Sequence, residues 1–104
     1  MYIAMNRFKV KHGHEEEFET MWRNRDSYLK DMEGFKDFHL LKGPDRDDHR
    51  LYSSHTVWAS EEAFMEWTRS QAFRDAHKNA GQNKHMYLEG PHFEGFSSVL
   101  AISE

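Results

Sequence analysis

Two polar side chains fall where the periodicity of the chain calls for carbon. In the segment Ser70–Gly81, SQAFRDAHKNAG, Phe73, Ala76 and Ala80 mark one helical face, and His77 lies on that face four residues after Phe73. In YIAMNRFKV near the N-terminus, Asn6 shares the parity of Ala4, Phe8 and Val10. A polar group turned inward without a partner costs about 1–3 kcal/mol. A bound ligand can supply that partner. A neutral imidazole ligates iron, and a carboxamide donates a hydrogen bond without ionising. Each residue also has a plain structural reading: a core histidine bonded to a backbone carbonyl, and an amide held in a sheet. The functional reading rests on finding both together with Trp67.

Other site chemistries find no pattern here. There is no Ser-His-Asp order, no glycine-rich phosphate loop and no cysteine, so disulfides, thiolate ligands and iron–sulfur clusters are excluded. The remaining histidines are scattered. His12 and His14 flank Gly13 at a turn and read as solvated. His39, His49 and His55 lie on or near a hairpin and read as surface or core. His85 and His92 border a long loop, where either could edge a ligand. No spacing among them requires a zinc site.

The elements that must position these residues follow from pattern. Strand one runs from Tyr2 to Val10. Helix one runs from about Gly13 to Met32, with Phe18, Met21, Trp22, Leu29 and Met32 as its apolar stripe. Glu15, Glu16 and Glu17 suit its N-terminal dipole, and Gly34 is placed to stop it. Strand two, GFKDFHLLKG, turns apolar residues to both parities, which implies a bulge or two buried faces. The turn GPDRDD joins it to strand three, HRLYSSHTVWA. Ser60 caps a short helix, SEEAFMEWTR, and Ser70 caps another that ends at Gly81. On one unbroken helix Trp67 and His77 would stand about 15 Å apart along the axis. A break near Thr68–Ser70 brings both toward one cavity. Residues 81–91 read as a loop, and HFEGFSSVLAIS as the last strand.

The order is β-α-β-β-α-β, an α+β, ferredoxin-like antiparallel sheet with helices on one face and the second helix broken. The bare face carries apolar and aromatic residues, so a second copy is expected to cover it. The 104 residues read as a single domain spanning 1–104. Charged residues make up 31% and aromatic residues 14%, so the core is built from Phe, Trp, Tyr and Met. A net charge of −4 with no basic block argues against nucleic acid. No apolar run approaches the ~20 residues needed to span a bilayer. A cytoplasmic protein is the expectation.

NRF at Asn6–Phe8, MEGF at Met32–Phe35 and TVWASEEAFMEWTRSQAFRDAHK from Thr56 to Lys78 resemble the IsdG-type haem-degrading monooxygenases. These belong to the wider antibiotic-biosynthesis-monooxygenase group of small dimeric α+β-barrel proteins. The joint presence of Asn6, Trp67 and His77 is the specific part. The TVW and AF stretches mark the wider group, and residues 82–90 match nothing assignable.

The resemblance implies a site. His77 would be the axial ligand of the haem iron. Asn6 would stand on the oxygen side, Trp67 would press on and ruffle the porphyrin, and Phe73 would help hold it. Haem would be both substrate and cofactor, cleaved with O2 to release iron and an open-chain tetrapyrrole. Electrons would come from a partner reductase or a small-molecule reductant, since no internal electron store is evident. Two other readings are a haem carrier or sensor that does not degrade its ligand, and a cofactor-independent oxygenase acting on a polyphenol. For the propionates, Arg7, Arg23, Arg25 and Arg74 are candidates that the sequence does not separate.

Overall fold

A computed structural model describes residues 1–25, 28–78 and 80–103. β1 (Tyr2–Val10), β2 (Phe35–Asp45), β3 (Arg50–Trp58) and β4 (His92–Ser97) form one antiparallel sheet in the order β2-β3-β1-β4. Helices α1 (Glu15–Asn24), α2 (Glu61–Thr68) and α3 (Gln71–His77) are joined by two short 3-10 helices, Leu29–Asp31 and Ala80–Met86. This is the ferredoxin-like order expected. No helix among the described residues is long and apolar enough to cross a membrane.

Alternation along β1 buries Tyr2, Ala4, Phe8 and Val10 under the helices. The buried side chains do not merge into one core. Tyr2, Ala4, Leu29, Trp58 and Trp67 make one cluster, on which Phe73 and Ala76 pack. Phe8, Val10, Phe18, Tyr52 and Met86 make the other, with Met21, Trp22 and Tyr87 against it. Asn6 stands between Ala4 and Phe8 in the same row, at the seam. Its cross-strand partner is Ser54, the one buried polar residue among those described.

Several boundaries differ from expectation. Helix one stops at Asn24, because Arg25 takes extended backbone angles (φ −81°, ψ 127°). The stripe is therefore split: Phe18, Met21 and Trp22 serve one cluster, and Leu29 and Met32 the other. Gly34 does not end that helix. It precedes β2 at φ +84°, where an added Cβ would lie 2.5 Å from the Ala63 Cβ, so α2 packs directly on its backbone. The two apolar parities of β2 are resolved by a register shift between Phe35 and Asp37, which is the bulge. α3 ends at His77, short of Gly81; Asn79 lies outside the described residues. Residues 80–86 are a 3-10 helix within what reads as loop, and the last strand stops at Ser97.

The break in the second helical region falls at Ser70. Its Oγ–H donates to the Trp67 carbonyl at 2.7 Å, and the same oxygen accepts the Phe73 N–H at 3.0 Å. One hydroxyl thus closes the end of α2 and caps α3. Ser60 caps α2 in the same manner through the Ala63 N–H.

Candidate functional site

α3 carries His77 to the edge of the seam. The ring lies on Phe73, with centroids 4.1 Å apart, and 6.5 Å from the Trp67 ring. The break has replaced an axial separation of about 15 Å with near contact. His77 Nδ1 stands 2.8 Å from the Phe73 carbonyl oxygen. A carbonyl can only accept, so the proton sits on Nδ1 and Nε2 keeps its lone pair. Burial lowers the His77 pKa from the ordinary imidazole value, and the nearby Arg25 charge adds to that; the Phe73 carbonyl pulls the other way. The ring is a neutral base whose free nitrogen is fixed by the helix carrying it.

Two adjoining cavities flank Asn6. One, of about 530 Å³, is lined by Asn6, Phe8, Met21, Trp22, Arg25, His77, Asn83 and Tyr87 among others. The next, of about 410 Å³, is lined by Asn6, Trp22, Arg25, Ser54, Trp67 and Phe73 among others. Asn6, Trp22 and Arg25 belong to both, so the cavities share a wall. Each lies within the ~300–1000 Å³ usual for cofactor sites. The structure therefore brings His77, Asn6, Trp67 and Phe73 around one seam. Trp67 is only 5% exposed and also anchors a core cluster, stacking on Trp58 with centroids 6.3 Å apart. Trp67 thus belongs to a core cluster and lines the smaller seam cavity as well.

Two buried donors of this seam have no hydrogen-bond partner among the described residues. The Asn6 carboxamide makes no side-chain hydrogen bond there. Trp22 Nε1 and Arg25 Nε are buried with none. The Arg25 guanidinium lies over the Trp22 ring, 4.6 Å from its centroid, a cation–π contact. The other candidate arginines are engaged. Arg7 pairs with Glu94, Arg23 with Glu19, and Arg74 bonds the Arg69 carbonyl and Gln71. Trp22 was legible only as helix stripe, and Arg25 only as one arginine of four. What sets both apart is the helix ending between them, which the sequence pattern runs through. Tyr87 is a further lining residue that pattern missed. Burial raises its pKa, so it stays a neutral phenol.

A larger cleft, about 640 Å³, lies between residues 32–34 and α2. Glu33, Glu62 and Glu66 line it with Arg69, and no histidine does. It repels an anionic ligand and offers no imidazole to a metal centre.

His12, His49 and His92 each meet one carboxylate, on Asp45, Asp48 and Glu89 respectively. His39 and His55 face each other across β2 and β3, ring centroids 6.3 Å apart. His14 and His85 converge on Glu17. Neither His85 nor His92 lines the seam cavities.

A family model described as antibiotic biosynthesis monooxygenase matches residues 1–79. A heme oxygenase (staphylobilin-producing) of Staphylococcus saprophyticus is 30% identical over 84 residues, covering 81% of this chain and 80% of that protein. The heme-degrader MhuD of Mycobacterium tuberculosis, solved with two hemes in its active site, superposes with a TM-score of 0.73 at 26% identity over 99% of this chain and 100% of that one. SnoaB of Streptomyces nogalater, a cofactor-independent oxygenase, superposes with a TM-score of 0.70 at 23% identity, covering 99% and 97% of the two chains, a likeness of fold alone.

Proposed function

The chain belongs to the antibiotic biosynthesis monooxygenase family, and we infer that it is a haem-degrading oxygenase of that family. The observation that carries the reading is His77. Its Nδ1–H is tied to the Phe73 carbonyl, which leaves Nε2 free, its ring is held neutral by burial, and the residue lines a cavity shared with Asn6. Relatives that degrade haem support the substrate.

The residues of the seam fit a porphyrin. Flat aromatic walls come from Trp22, Phe73, Trp67 and Tyr87, Trp22 Nε1 and Arg25 Nε are buried donors without a partner among the described residues, and the Asn6 carboxamide lines both cavities. Haem, when bound, supplies the redox-active iron and is itself the ring that is opened, with O2 and external electrons.

Each protein group then has a task. His77 holds the iron through Nε2. The bond from Nδ1 to Phe73 fixes the tautomer and steadies the ring, as second-shell partners do for ligating histidines. Asn6 offers amide N–H groups on the seam and stays uncharged there. The Trp67 indole is a rigid wedge packed on Trp58, able to bend a macrocycle pressed against it. Arg25 and Lys78 are the cations that line the larger seam cavity, and the planar fork of Arg25 suits a propionate.

The partners belong to the same reading. The electron donor is a reductase or a small reducing agent, since the chain has no thiol pair. The bare sheet face carries Ile3, Val57 and Phe96 (Phe96 is 50% exposed), which supports a homodimer paired through it. The proposed location is the cytoplasm.

Haemin added to the purified protein should give a Soret band that bleaches when reductant and air are supplied. Released iron and an open-chain tetrapyrrole complete the expected result. Haem recovered intact after repeated reduction in air would make the protein a carrier and overturn the reading.

A further inference from the structure

The two histidines that meet Glu17 stand apart from every other imidazole on the surface. His14 and Glu17 are three residues apart and share a face at the start of α1. His85 arrives from the 3-10 helix Ala80–Met86, 68 positions along the chain from Glu17. His14 Nδ1 lies 3.0 Å from one Glu17 oxygen, and His85 Nε2 lies 2.8 Å from the other. The two rings meet edge to face with centroids 5.5 Å apart. All three potential ligand atoms lie within 4.8 Å of one another, the one such set among the described residues.

We propose that His14 Nδ1, the Glu17 carboxylate and His85 Nε2 form a binding site for a divalent transition ion of the zinc type, separate from the haem seam. Two imidazoles and one carboxylate, with water in the fourth place, are a recurrent zinc set. Nitrogen donors favour Zn2+, Co2+, Ni2+ and Cu2+ over Mg2+ and Ca2+, which take oxygen cages. Tetrahedral ligands at ~2.1 Å from an ion stand about 3.4 Å apart. Closing the set therefore needs a shift of roughly 1 Å, within reach of side chains that are partly exposed. A carboxylate only accepts, so His14 Nδ1 and His85 Nε2 carry the protons of these two bonds; to ligate an ion each ring takes the tautomer protonated on its other nitrogen, and the bonds to Glu17 give way to ligation.

The place of the ion gives it a structural role. The segment carrying His85 is tied to β1 by Lys11 N–H to the Met86 carbonyl at 2.7 Å and by Leu88 N–H to the Lys9 carbonyl at 3.0 Å. Its Asn83, and Tyr87 just beyond it, line the larger seam cavity. An ion on His85 would staple that wall to α1.

The test uses haem-free protein, so its outcome does not depend on the haem reading. Co2+ titrated into the protein and followed by its visible d–d bands should saturate at one ion per chain, and Zn2+ should displace it. His14→Ala and His85→Ala should each weaken binding by roughly tenfold or more, and Glu17→Gln, which retains a hydrogen-bonding amide, should weaken it as well. His92→Ala and His77→Ala should bind as the parent does. Zn2+ should raise the unfolding midpoint of the parent and leave that of His85→Ala unmoved; midpoints without metal show that the variants are folded. No saturable binding of Co2+ or Zn2+ overturns the site. So does binding that survives both histidine substitutions.

Discussion

Ser70→Ala removes the hydroxyl that separates α2 from α3, and the structure sets what that should cost. The lost cap on the Phe73 N–H is worth about 1 kcal/mol, within 0.5–2. The second bond, to the Trp67 carbonyl, adds less than its 2.7 Å length implies. That carbonyl also accepts the Ser70 backbone N–H at 3.0 Å and stays satisfied in the variant. The expected loss is therefore about 1–2 kcal/mol in total. For a chain of this size it lowers the melting midpoint by roughly 4–8 °C per kcal/mol. Urea unfolding and a haemin titration on the same preparation form the assay. Haem affinity should fall along with stability, because the α3 N-terminus orients Phe73 and, through it, His77. Ser70→Thr, which can still cap, should restore part of both. A Ser70→Ala protein as stable as the parent refutes the clasp. One that is destabilised yet binds haem undiminished refutes its link to the site.

Because burial lowers the His77 pKa from 6.5, haem affinity should stay flat through neutral pH and decline only below about 6.5. The unfolded ring takes its proton near 6.5 and the folded one lower, so stability should also drop as pH falls through that window. Urea midpoints across pH should show this slope, and His77→Ala should lessen it; a decline that begins in alkaline solution contradicts it. Asn6→Ala should keep the Soret band but slow haem loss by about tenfold to a hundredfold, measured by stopped-flow bleaching; parental rates would remove Asn6 from the mechanism. Arg25→Gln should raise the haem Kd by roughly tenfold to a hundredfold, the worth of a charge-assisted bond of about 1.5–3 kcal/mol. Haem lacking propionates should show no such difference between parent and variant.

The sheet order, the bulge in β2 and the break at Ser70 were legible because each is local. Alternation, a double parity and a capping serine are short-range signals. The inward positions of Asn6 and His77 were legible for the same reason, and the break is what allowed Trp67 to join them. The seam itself was not legible. The stripe from Phe18 to Met32 is periodic straight through Arg25, so nothing in the pattern reveals that one helix serves two clusters. Trp22 and Arg25 line the cavities only because the chain leaves the helix between them. The convergence of His14, Glu17 and His85 was hidden too, since a contact between positions so distant in the chain has no spacing to read. The 3-10 helix after residue 79 has no clear signal in the sequence because Gly81 and Asn83 are weak helix formers, and its placement depends on Met86 being buried in the cluster of Phe8 and Val10.

The central claim is that His77 ligates the haem iron within the seam lined by Asn6 and Trp67. Electron–nuclear double resonance of the ferric haem complex, prepared with 15N-histidine, tests it most directly. The account predicts coupling to one imidazole nitrogen that vanishes in His77→Ala and returns, from unlabelled nitrogen, when free imidazole is added. The same 15N coupling retained in His77→Ala would contradict it.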